Sequence, residues 1–205
     1  MPHRVFLDSN VLASRTLRDW ILLCRLRIDD MFQLHTTLDV IAETIRAVRR
    51  QHPKADGGVI TEIDRKIRDV VDEIIDDFPG DVDFAGNDEH DRHVNAAATH
   101  AKADILVTDN PSDFGDPDLL PYDIYSADEF LCLVDDGAPA NVRDVTQMQN
   151  AYWQTRKNEG KPAKGLVDAL IDAGCPEFAA RVQEHLIVLS GPAKFTAPAT
   201  IRESL

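Results

Sequence analysis

Apolar and polar positions follow two rhythms along the first two thirds of the chain. Arg4-Val5-Phe6-Leu7 is a short apolar run that ends at Asp8 and reads as a buried strand. Ser9 and Asn10 can cap a helix over residues 10–28. Thr36-Thr37 opens a second helix, reaching 51, with Leu38, Ile41, Ala42, Ile45 and Val48 on one face; Pro53 and Gly57-Gly58 close it. Val59, Ile60, Ile63, Ile67, Val70, Val71, Ile74, Ile75 and Phe78 recur at spacings of three and four, predicting a helix over 59–78 that Pro79-Gly80 stops. Val82-Asp83-Phe84 predicts a short strand. Residues 88–102 predict a helix whose Ala96, Ala97, Ala98 and Ala101 suit close packing. Ile105-Leu106-Val107-Thr108 is another buried strand, and Tyr122-Asp123-Ile124-Tyr125 a weaker last one. Strands separated by helices predict an α/β fold with a parallel sheet and right-handed crossovers.

The turn-rich stretch DDGAPAN at 135–141 predicts a boundary. Beyond it the pattern is helical only: one helix over 141–159 ending at Gly160, a second after Pro162 carrying Leu166, Val167, Leu170 and Ile171, and a third from Pro176 to 187. The tail after 190 is expected to be loosely ordered. The reading is therefore an α/β domain at 1–135 and a small helical unit at 136–205. Charge divides at the same place. Residues 1–135 hold 14 Lys/Arg against 28 Asp/Glu, whereas 136–205 hold eight of each. All of the net charge of −14 thus belongs to the first part. Such a balance argues against a protein that coats nucleic acid or a polybasic membrane binder, but not against an enzyme that approaches phosphates through metal ions.

No signal peptide or membrane span is recognised, so a cytoplasmic protein is expected. Cys24, Cys132 and Cys175 are far apart and odd in number, which predicts buried thiols rather than disulfides or a zinc site.

The chemistry lies in where the acids fall. In an open parallel sheet, sites form beyond the carboxyl ends of the strands. Asp8 ends the first strand. Thr108-Asp109-Asn110 ends the strand at 105–108, with Asp113 just beyond. Asp91 falls in the first turn of the helix at 88–102, and Glu43 lies on the helix at 37–51. Clustered carboxylates repel unless a cation neutralises them, and hard oxygen donors suit Mg²⁺ or Mn²⁺. Such ions activate water and stabilise a phosphodiester under attack. Each acid also has a bland reading as a strand end, a helix cap or a solvated side chain. Asp88 is a good N-cap. His90 and His93 read as surface or hydrogen-bonding residues, and the acids at 72–77 as a solvated helix face.

VFLDSNVL at 5–12, the Glu43 helix and DEHDRHVNAAATHAKADILVTDNPSDF at 88–114 together resemble the PIN domain, most closely the VapC-type toxin ribonucleases of bacterial toxin–antitoxin pairs. The resemblance covers residues 3–135. It implies a Mg²⁺-dependent endoribonuclease, with Mn²⁺ as a substitute, that cleaves RNA and is held inactive by a VapB-like antitoxin; a homodimer is expected. By the family pattern Asp8, Glu43 and Asp91 are the metal-binding and catalytic acids. Asp113 joins the catalytic set, and Asn10, Thr108, Asp109 and Asn110 support it. Which of Asp109, Asn110 and Asp113 completes the site stays open.

Two other readings stand beside this one. A non-catalytic PIN-like scaffold would bind RNA or protein without cleaving. A haloacid-dehalogenase-like phosphatase also begins strand-Asp, but needs an acid two residues on, where this chain has Asn10. In the helical unit, Trp153, Arg156, Lys157, Lys161 and Lys164 suggest an exposed basic face. That face would guide RNA or meet a partner; otherwise the unit simply caps the domain.

Overall fold

The computed structural model describes residues 1–160 and 164–191. Five strands, β1 (His3–Leu7), β2 (Phe32–Thr37), β3 (Glu73–Ile75), β4 (Ile105–Val107) and β5 (Asp123–Tyr125), form one parallel sheet in the order β3-β2-β1-β4-β5. The order reverses at β1. The chain first moves outward through β2 and β3, then returns to the other side through β4 and β5. The carboxyl ends of β1 and β4 therefore flank the switch point, where open sheets of this kind place their sites. Helices α1 (Ser9–Ala13), α2 (Arg15–Arg27), α3 (Leu38–Gln51), α4 (Gly57–Val70) and α5 (Arg92–His100) make the connections within residues 1–104. Four more, α6 (Ala127–Gly137), α7 (Pro139–Asn158), α8 (Leu166–Asp172) and α9 (Pro176–Ser190), follow β5.

Several predicted elements differ in the structure. The helix expected over 10–28 is two helices broken at Ser14, whose hydroxyl accepts from the Leu17 N–H at 3.4 Å and starts α2. Residues 32–37, where the pattern predicts only a helix start, form β2. Polar Gln33, His35 and Thr36 hide its apolar rhythm, although His35 and Thr36 are buried. Thr37 does cap the next helix, accepting from the Val40 N–H at 3.1 Å. Leu38 and Ala42, expected on the apolar face of that helix, are exposed.

The helix expected over 59–78 ends at Val70. Asp72 then takes both arms of Arg25 at 2.5 and 2.7 Å and accepts from the Leu34 N–H at 2.8 Å. Those bonds steer Glu73–Ile75 into pairing with His35–Thr37. Asp72 is thus an anchor between elements, not part of a solvated helix face. Over three or four residues an apolar run fits either period, and tertiary pairing decides. Residues 82–84 belong to no strand; Phe84 packs edge-on against Phe114. The helix expected from 88 begins with a 3-10 turn at Glu89–Asp91 before α5. Ala96, Ala97 and Ala98 are fully buried, as close packing requires.

The three helices expected after 141 are α7, α8 and α9, with α8 starting at Leu166; Pro162 and Lys161 lie outside the described residues, as does the tail from 192. Only Ala138 separates α6 from α7. Trp20 of α2 meets Phe178 of α9 edge-to-face at 5.0 Å, and Leu170, Phe178 and Val182 belong to the same apolar cluster as Val5 and Leu106. The three cysteines are free. Burial pushes the Cys24 thiol up to about 12 and the half-buried Cys132 thiol to about 11, and raises Cys175 as well. No described helix is long and apolar enough to cross a membrane.

Candidate active site

Asp8 ends β1 and is 4% exposed. One carboxylate oxygen accepts from the Ser9 N–H at 2.5 Å, and the other from the Thr108 hydroxyl at 2.8 Å. Thr108, the residue after β4, is a hub. Its hydroxyl also accepts from the Asn10 amide at 3.0 Å and from the Asn110 N–H at 3.2 Å. Asn10 in turn accepts from the Asp109 N–H at 3.3 Å. Three side chains and three backbone N–H groups thus tie the ends of the two central strands and fix where Asp8 points. Held in this way as an amide, Asn10 supplies no acid of the kind a strand-Asp phosphatase needs.

The second cluster lies beside it. Carboxylate oxygens of Asp88, Asp91 and Asp113 all fall within 4.8 Å of one another. Two loops make this possible. The Asp113 carbonyl accepts from the Asn87 N–H at 2.8 Å, and the Ser112 carbonyl accepts from the Asn87 side chain at 2.7 Å. Gly86 allows the approach: a Cβ there would collide with the Phe84 ring and the Asp113 carbonyl. Asp88 also caps the 3-10 turn, accepting from the His90 N–H at 2.9 Å. Glu43, exposed on α3, meets His93 of α5 at 3.1 Å.

Electrostatics joins these pieces into one group. Partial burial, with the charges of Asp8, Asp88 and Asp113, pushes the Asp91 carboxyl up to about 6, against a smaller pull from His93. Burial raises Asp8 above the ordinary carboxylate range, and Glu43 adds to the rise; Thr108, Ser9 and His93 oppose it. Carboxylates that resist ionising together are those a divalent cation would relieve.

Asp109 differs. The residue is exposed overall, yet its carboxyl turns towards the C-terminal helices, where partial desolvation raises it above the ordinary range. It accepts from the Ala127 N–H at the start of α6 at 3.4 Å and adds to the shift of the Cys175 thiol. It secures α6 rather than joining the acids. Asn110 contributes its backbone N–H to Thr108. Of the three residues left open at this corner, Asp113 is the one among the acids. The closest acidic trio is accordingly Asp88, Asp91 and Asp113, with Asp8 acting on Asp91 and Glu43 acting on Asp8. Sequence reasoning gives Asp88 only a capping role. Its signal was the three-residue spacing to Asp91, which one turn brings to the same side.

A family model described as PIN domain matches residues 4–112, more than half of the chain. The chain belongs to the PIN domain family. The match takes in the PIN sheet through β4 and includes Asp8, Glu43, Asp88 and Asp91; Asp113 and the helices from α6 onward lie beyond it. Comparison with curated proteins and with solved structures matched none. The PIN fold is a nuclease fold, and the acidic group here could hold a metal ion. Oxygen donors within 4.8 Å of one another fit a divalent ion with metal–oxygen distances of about 2.0–2.6 Å, after a small inward adjustment.

Proposed function

We propose that this PIN domain protein is a Mg²⁺-dependent endoribonuclease, Mn²⁺ serving as a substitute, and that it acts in the cytoplasm as the toxin of a toxin–antitoxin pair. The observation that carries the nuclease reading is the coupling of Asp8, Asp88, Asp91 and Asp113 at the switch point between β1 and β4. Asp88, Asp91 and Asp113 would hold the ion, with Asp8 and Glu43 completing the negative field around it. A divalent ion bound there supplies an activated water and charge neutralisation at the phosphodiester. The chain does the rest. Thr108 and the Ser9 N–H fix the Asp8 carboxylate, His93 anchors Glu43, and Gly86 keeps Asp88 against Asp113.

The antitoxin is proposed from the outside of the fold. Leu22, Leu26, Val59, Ile63 and Met148 line a groove of about 780 Å³ between α2, α4 and α7, with Leu26 59% and Val59 51% exposed. An amphipathic helix of a second protein fits such a groove. A basic side chain carried by the same partner, reaching the carboxylates, would compete with the metal.

The test is induced expression of the chain with sequencing of RNA 5′ ends, against an Asp8→Asn control. New ends and growth arrest are expected with the parent only. Identical profiles for the two would overturn the nuclease reading. Arrest unrelieved by any co-expressed neighbouring gene would overturn the antitoxin reading.

A further inference from the structure

A protein carrying a net charge of −14 must still bring a polyanion to a cluster of acids. Cations near that cluster therefore matter more than their number suggests. The end of α7 and the start of α2 supply them. The Arg15 guanidinium lies 5.9 Å from the Tyr152 ring and 5.3 Å from the Trp153 ring; that of Arg156 lies 5.9 and 5.8 Å from the same rings. Both arginines donate to the Tyr152 hydroxyl, at 2.8 and 3.4 Å. Arg15 has Asp19 as a counter-ion at 3.5 Å, whereas among the described residues no ion pair involves Arg156 or Lys157. The Arg156 Nε is buried without a hydrogen-bond partner among the described residues. Although burial alone would raise the Tyr152 phenol, bonding to Arg156 and the charge of Arg15 hold it below its ordinary range, as a positive potential does.

Placement connects this patch to the acids. Helix α7 runs antiparallel to α2. Near its start, Asn141 donates to the Arg27 carbonyl at 2.6 Å; further along, Tyr152 meets Arg15. The far end of α7 is therefore carried to the edge of the sheet where Asp8 ends β1. Only α1, five residues long, separates Asp8 from the cap of α2, so Arg15 lies on the order of 10 Å from Asp8 at a rise of about 1.5 Å per residue. Beside the patch, α2, α7 and α8 flank an open cleft of about 680 Å³ with Trp20, Trp153 and Leu166 among its walls and Arg15 and Lys164 at its polar side. That volume is within the range of small-molecule sites.

We propose that this patch binds single-stranded RNA, with unstacked bases on Tyr152, Trp153 and the arginine planes and phosphates on Arg156 and Lys157. The inference rests on the nuclease reading and names the surface that delivers its substrate. Ring faces alternating with guanidinium groups bind single strands, because a base can stack on them only once it has left a duplex. An aliphatic partner helix would instead favour the groove at Leu26 and Val59, which adjoins the patch and shares Arg15 and Tyr152 with it.

The test uses the full-length Asp8→Asn protein in EDTA, so that nothing is cleaved, and a labelled oligouridine of about 12 nucleotides. Binding is followed by anisotropy and by tryptophan emission. The chain has two tryptophans, and Trp20 is 1% exposed, so quenching reports Trp153. Arg156→Gln with Lys157→Gln, and separately Tyr152→Ala, should each weaken binding by about tenfold. The double variant should also flatten the slope of log K against log salt by about 1.4, at 0.7 per lost phosphate contact. Unchanged affinity and slope in both variants, no binding by the parent, or equal competition by duplex RNA would each overturn the proposal. The nuclease reading fails separately, if the chain with Asp8 intact binds the oligonucleotide through this patch but does not cleave RNA with Mg²⁺.

Discussion

The Thr108 hydroxyl donates to the Asp8 carboxylate at 2.8 Å, joining the ends of two neighbouring strands that lie a hundred residues apart in sequence. Both residues are buried, so the bond is charge-assisted and shielded from water. Thr108→Val keeps the shape and removes the donor. It should destabilise the protein by about 1.5–3 kcal/mol, the usual worth of a hydrogen bond to a charged group, and raise Asp8 further. Thr108→Ser should restore most of the loss. Thermal melts of the three proteins check this; a Val variant as stable as the parent would remove Thr108 from the site's framework.

Asp91 makes metal-free stability depend on pH. Its folded pKa, about 6, lies above the ordinary 3.8, so the folded state holds the proton more tightly. Stability therefore falls as pH rises from about 4 to about 6 and carries the full penalty above that window. Asp91→Asn should flatten this part of the profile and melt higher than the parent at neutral pH in EDTA, while losing RNA cleavage. The difference between the two melting profiles isolates Asp91 from the other titrating groups.

Removal of divalent ions should abolish cleavage, and Mg²⁺ or Mn²⁺ should restore it. Added Mg²⁺ should also raise the melting temperature of the parent, by at least a few degrees at saturation, because a ligand that binds only the folded state stabilises it. In Asp88→Asn and Asp113→Asn that rise should shrink. Cleavage undiminished in EDTA would point to a different mechanism.

Gly86→Ala tests the loop contact behind the acidic trio. The added methyl meets the Phe84 ring and the Asp113 carbonyl, so the loop at 86–88 must withdraw. Weaker Mg²⁺ binding, by about tenfold or more, is expected together with a stability loss of about 1–3 kcal/mol for the steric conflict. Calorimetric titration with Mg²⁺ gives the first quantity and thermal melting the second.

What could be read from the chain depended on how far each signal reached. The run Val5-Phe6-Leu7 before Asp8 and the alanines at 96–98 are buried on every side, and their composition alone declares it. Asp8 and Asp91 could be read because each sits at the end of an element, and Asp113 because it follows closely on the strand that ends beside Asp8. β2 and β3 could not. His35 is buried although polar, between Arg4 and Glu73, and Ile74-Ile75 continue a helical rhythm until Asp72 binds Arg25. Asp88 and Asp113 meet through the loop at 86–88, where the Asn87 and Asp88 N–H groups both donate to the Asp113 carbonyl, a tertiary contact with no local periodicity. The turn signal at 135–141 marks the break between α6 and α7 at Ala138, across which the apolar cluster nevertheless continues.

The three thiols offer a built-in clock for local opening. Cys24 sits in α2, Cys132 in α6 and Cys175 at the head of α9, and burial keeps all three in the unreactive neutral form at physiological pH. An alkylating reagent applied under native conditions can therefore reach Cys24 or Cys175 only while the surrounding helices are apart. The order in which mass spectrometry finds them modified would show whether the C-terminal helices breathe away from the sheet on their own or open together with it.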